Sequence, residues 1–174
     1  MPAGPTYEPI ATTTLGSNAA TITFSSIAAT YTDLRVVLVG RDDRASTGND
    51  TVFLRFNSDT ATNYSYTRLL GDGANASSAA GTSLTSNVAG FIPRNNNTSG
   101  IFGLVTVDIF SYAGSTNKTY LSTTSADLNG SGDVVRIVGL WRNTSAITSI
   151  TFSLGSTFQY LTGTIATLYG IKNA

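Results

Sequence analysis

The chain has 174 residues, a length that one hydrophobic core serves, with ten basic and ten acidic side chains, no cysteine and no histidine. That inventory excludes zinc fingers, iron–sulfur sites, cysteine nucleophiles and histidine-based triads. A formal net charge of zero leaves no positive field for a nucleic-acid backbone or an anionic membrane, so neither is expected as a partner. Thr, Ser, Gly and Asn together fill 78 of the 174 positions while only 11% are charged, which is a composition of strands and turns rather than helices. No apolar run approaches the ~18 residues of a membrane span. The opening Met-Pro-Ala-Gly-Pro lacks the basic start and apolar stretch of a secretory leader, so synthesis in the cytoplasm is expected.

In chain order, residues Met1 to Pro9 carry three of the four prolines and read as an extended arm, with residues 1–15 leading into a first strand over Glu8 to Leu15. Residues 16–174 read as a single β-sandwich domain. Ala20 to Phe24 alternates Ile22 and Phe24 with threonines, and Ser25 to Asp33 reads as a corner between sheets. Leu34 to Gly40 is the next strand. Arg41 to Asp50 reads as a solvated, charged loop, followed by a strand from Thr51 to Asn57 in which Val52, Leu54 and Phe56 share one face. Tyr64 to Leu70 is a strand, and Gly71 to Ser86, rich in Ser, Ala and Gly with almost nothing to bury, reads as an irregular excursion. A weak strand over Val88 to Ile92 is followed by Ile101 to Phe110, Lys118 to Ser125, Val134 to Trp141, Ile147 to Leu154 and Thr164 to Ile171. Clusters at Gly71–Asn75, Ala113–Asn117 and Asn129–Asp133 read as hairpin turns, because Gly and Asn tolerate positive φ there. The whole is all-β and antiparallel, with about ten strands at the spacing of a sandwich or barrel.

Few residues offer chemistry. Asp42, Asp43 and Asp50, with Asn49, could supply oxygen ligands to calcium, but Arg41 and Arg44 among them neutralise the carboxylates and compete for them, so no metal is expected. Glu8 is the single glutamate, and Asp108 lies on the outward side of an apolar strand, so no carboxylate pair for glycoside hydrolysis is in view. No catalytic residue and no cofactor is expected. Tyr64, Tyr66, Tyr112, Tyr120 and Trp141 form a candidate sugar-stacking set, against the alternative that these rings fill the core. The candidate partner interface is Pro5, Tyr7 and Ile10 of the arm together with Arg41, Asp42, Asp43 and Arg44 of the charged loop.

The segments Pro9–Thr14, Ile22–Ile27, Tyr31–Leu34, Leu54–Asn57, Asn63–Tyr66 and the ending Thr167–Lys172 give the chain, over nearly its whole length, a look that resembles small structural proteins of tailed bacteriophages. That resemblance implies a jelly-roll sandwich on the capsid surface or in the tail, and it brings no functional residues with it. The expected function is a virion structural protein, a capsid decoration or cement protein that stabilises the shell through symmetric protein–protein contacts. Its expected partners are itself, as a trimer, and other virion proteins. The alternative is a tail-fibre or baseplate module that recognises host surface carbohydrate.

Overall fold

Alternation of period two decides the architecture, because each strand has one face to bury and must meet a second sheet to bury it. A computed structural model describes residues 6–155 and 157–172. Twelve strands follow in order: β1 (Tyr7–Thr14), β2 (Thr21–Phe24), β3 (Asp33–Gly40), β4 (Asn49–Phe56), β5 (Tyr64–Gly71), β6 (Ala76–Leu84), β7 (Asn87–Pro93), β8 (Gly103–Phe110), β9 (Lys118–Asp127), β10 (Gly132–Trp141), β11 (Ile150–Ser153) and β12 (Ile165–Ile171). They form an eight-stranded sheet of order β1-β12-β3-β8-β9-β10-β5-β6 and a four-stranded sheet of order β2-β11-β4-β7. Every pairing is antiparallel, and no helix occurs among the described residues. The chain is an all-β sandwich.

The core lies between the sheets. The large sheet contributes Leu34, Val36 and Leu38 from β3, Val105, Val107 and Ile109 from β8, and Val135, Ile137 and Trp141 from β10. The small sheet answers with Ile22, Phe24, Val52, Leu54, Phe56, Ile150 and Phe152. One column of the inner face is polar. From β9, the Tyr120 hydroxyl donates to the Val88 carbonyl at 2.6 Å, the Ser122 hydroxyl donates to the Ala89 carbonyl, and the Thr124 hydroxyl oxygen accepts from the Phe91 N–H at 3.2 Å. These side chains satisfy the backbone of β7, an edge strand that would otherwise bury unpaired donors and acceptors. Gly90 permits the approach, since a Cβ there would collide with the Thr124 hydroxyl.

Three elements differ from the sequence reading. Ala76 to Leu84, expected to be irregular, is the edge strand β6, held by a regular register on β5 from Tyr66↔Gly81 to Gly71↔Ala76. Pairing, not burial, makes it a strand. β1 begins at Tyr7, one residue before the expected Glu8, and runs through Pro9 because a sheet edge tolerates a residue without an N–H; the register shifts between Pro9 and Ala11. The third is the Arg41–Asp50 connection, whose charged ends are not solvated: Arg41, Asp42 and Asp50 are buried, while Ala45 and Thr47 between them are exposed. The expected hairpin turns do join β5 to β6, β8 to β9 and β9 to β10.

Candidate functional site

The residues selected by sequence separate into structural roles. Arg41, expected at a partner contact, is enclosed by the 94–101 loop, where Nη1 donates to the Thr98 and Ile101 carbonyls (2.9 and 3.3 Å) and Nη2 to those of Asn95 and Asn97 (2.6 and 2.7 Å). Such a guanidinium serves as a staple for a loop rich in unpaired carbonyl groups. Asp42 is fully buried, and its Oδ1 accepts from the Arg44 backbone N–H at 3.0 Å. Burial, reinforced by a shared hydrogen bond with Asp50, pushes the Asp42 carboxyl up to about 8. Asp50 takes the cations, with Arg44 Nε at 2.7 Å from Oδ2 and Arg94 Nη2 at 3.4 Å from Oδ1, while the Arg44 guanidinium lies 3.7 Å from the Phe158 ring centre. Asp43 is strapped to Gln159, whose N–H donates to its Oδ1 at 2.9 Å. Arg41 and Asp42 are therefore interior groups, which corrects their expected place on a contact surface.

The arm residues divide as well. Ile10 packs half-buried against the core, whereas Tyr7 is exposed on the opposite face of the sheet with the Arg35 guanidinium 5.4 Å from its ring centre. Pro5 lies outside the described residues. Of the five candidate sugar-stacking aromatics, Tyr64, Tyr112, Tyr120 and Trp141 are buried, and Tyr66 packs half-buried against the core. The Trp141 indole N–H donates to Asp59 Oδ2 at 2.7 Å and stacks on Tyr64 at 6.3 Å, which is core packing with satisfied polar tips. Lys118, which sequence reading passed over, is fully buried with Nζ donating to the carbonyls of Gly114, Thr116 and Thr144. Its desolvation lowers the ammonium pKa.

What remains on the surface is a sheet face. Every large apolar residue that is exposed among the described residues, namely Tyr7, Val39, Leu69, Leu104, Phe110, Val134, Val138 and Ile165, belongs to the eight-stranded sheet. Alternation puts all of them on the side away from the core. Registers Ile165↔Val39, Val39↔Leu104, Leu104↔Ser125 and Ser125↔Val134 align four of them in one row across five strands. Val134, Leu69 and Val138 are 66%, 64% and 51% exposed. Charge is sparse on this face: Arg35 and Asp108 neutralise each other through bonds of 2.5 and 2.9 Å, and Arg136 donates to the Thr123 hydroxyl at 2.9 Å. The Asp108 contact raises the Arg35 pKa. A shallow groove of about 480 Å³ runs across the face where Thr67, Ala80 and Thr119 lie beside Val138 and Leu140. The outward face of the small sheet differs, presenting Thr21, Thr23, Thr51, Thr151, Ser153 and Arg55 with Phe53 half-buried among them.

This face had a signal in the sequence. A strand buried on one side alternates apolar with polar, whereas Val36-Val37-Leu38-Val39 and Val134-Val135 with Ile137-Val138 are apolar in both phases, the pattern of a strand covered on both faces. Comparison with protein-family models, with curated proteins and with solved structures returns no match.

Proposed function

We propose that this chain is a virion structural protein of a tailed bacteriophage, a decoration or cement protein that stabilises the capsid shell through symmetric protein–protein contacts. The observation that carries this reading is the gathering of the exposed apolar side chains onto one open sheet face. Apolar patches of that extent mark interaction surfaces, and a broad, weakly charged face suits another protein better than a small ligand. Avidity over many copies would turn modest contacts between copies and with the shell into a durable assembly. Strand order supports a jelly-roll winding: from β2 onward the chain passes between the small and large sheets at β2, β3, β4 and β5, and again at β6, β7 and β8 and at β10, β11 and β12. In that reading the β8–β9 hairpin is an insertion that widens the large sheet. The carbohydrate-binding alternative would need exposed coplanar rings, and most of the aromatics proposed for it serve the core.

Purified virions of the encoding phage provide the test. Quantitative mass spectrometry should find the chain in a stoichiometry comparable to shell capsomers, and its removal should lower the temperature at which packaged DNA is released. Absence of the chain from purified particles overturns the reading.

A further inference from the structure

We propose that the outer face of the eight-stranded sheet is a self-association surface, on which a second copy of this chain packs face to face about a two-fold axis. The inference rests on the preceding reading only in taking this face as a contact surface, and it commits to the occupant.

Three observations select a second copy. The first is area: eight strands at about 4.8 Å spacing and some seven residues at about 3.3 Å give a face of roughly 900 Å². Two copies would then bury roughly 1,800 Å², within the range of about 1,200 to 2,000 Å² of stable specific interfaces. The second is charge. With Arg35 and Asp108 neutralising each other, the other ionic side chains in the outward phase of these strands, Asp33, Asp127 and Arg136, lie in different register rows, so placing the face against itself brings no like-charge cluster together.

The third is shape. Twisted sheets of one hand pack on each other at about −30°, so a copy of the same sheet is a natural complement. In the strand order, a two-fold parallel to the strands exchanges β3 with β10 and β12 with β5. Val39, Val134, Ile165 and Gly71 lie in one register row, so Val39 then meets Val134 of the copy and Ile165 meets Gly71. Beside Gly71 is a hollow of about 310 Å³ lined by Leu69, Ala76, Val134 and Arg136. Ile165 is thus a knob opposite a hole. Because the apolar residues gather on one patch rather than two, the isologous pair accounts for them better than the trimer expected from sequence, whose heterologous contacts need two different patches per copy.

Sedimentation velocity over a dilution series tests the pairing. The native chain should sediment as a pair of about 36 kDa, twice its 18.1 kDa, and Val39→Asp and Val138→Asp should each return it to the single-copy mass. Both side chains are exposed, so circular dichroism should show the variants folded. Thr151→Asp on the small sheet should leave the pair intact. As a second readout that does not depend on a charged variant, Val138→Cys in this cysteine-free chain should react with a maleimide progressively more slowly as concentration rises, and Thr151→Cys should not. A single-copy mass at every soluble concentration overturns the proposal, as does a pair that survives both aspartate variants or a Val138→Cys thiol that reacts at one rate throughout. A single-copy chain whose aspartate variants nevertheless fail to join particles would leave the virion reading standing and remove only the second copy.

Discussion

Asp42 is the side chain whose behaviour departs furthest from its type. Its carboxyl is pushed up to about 8 by burial and by the hydrogen bond it shares with Asp50, whose charge is already engaged by Arg44 and Arg94. A carboxyl whose folded pKa exceeds its unfolded value near ~3.9 binds its proton more tightly in the folded state. Its contribution to stability is complete below about pH 4 and is lost as pH rises toward 8. Glu8, Asp59 and Asp72 are held below the carboxylate range by the Lys172 ammonium, the Asn63 amide and the Asn75 backbone N–H respectively, so their contribution is present above about pH 4 and is lost in acid. With no histidine and no cysteine to titrate there, the interval between pH 5 and 8 is where Asp42 gives up its proton. The melting temperature should fall across that interval, and Asp42→Asn, which keeps an acceptor for the Arg44 N–H and supplies a neutral donor toward Asp50, should flatten the profile. A native profile that is already flat would refute the assignment. None of this was legible in sequence, where acids interleaved with arginines look like a solvated loop; what reverses the reading is a distant loop whose carbonyls draw Arg41 inward.

At the scale of elements, alternation was legible and pairing was not. Ile22 with Phe24, and Val52 with Leu54 and Phe56, stand on the faces their spacing assigns. β6 escaped because Ala, Ser and Gly carry little strand preference and bury almost nothing, so its conformation comes from the ladder with β5. The two outer strands of the large sheet also differ in how they end it. β1 carries Pro9, a register shift and the Glu8–Lys172 ion pair at 2.7 Å, features that discourage further pairing, while β6 has neither proline nor charge. β1 pairs with β12 from Tyr7 to Thr14. Deleting residues 1–5 should therefore leave the melting temperature within a few degrees of native. Deleting residues 1–15 uncovers β12 and removes Ile10 and Leu15 from the core margin, at a cost of about 2 to 4 kcal/mol with aggregation. Differential scanning calorimetry of the two truncations checks this, and equal stability would mean that β1 contributes nothing to the fold.

For the whole molecule, the sandwich class follows from composition and period, because a chain this rich in Thr, Ser and Asn with few helix formers has little alternative to two stacked sheets. Which face of which sheet stays open does not follow from period alone. It depends on strand order, which brings β12, β3, β8 and β10 together although they are distant in sequence, and so collects Ile165, Val39, Leu104 and Val134 into one row. The unit that emerges is asymmetric, with a threonine-rich small sheet and the exposed large apolar side chains of the described residues gathered on the large one. On the proposed reading, the apolar side is covered in the working assembly. An electron cryomicroscopy map of the proposed virion assembly at side-chain resolution measures this directly. Protein density should lie over Val39, Leu104, Val134 and Val138, supplied by a second copy, with Thr151 of the small sheet left in solvent. A map in which those four residues face solvent while the small sheet makes the contacts would contradict it.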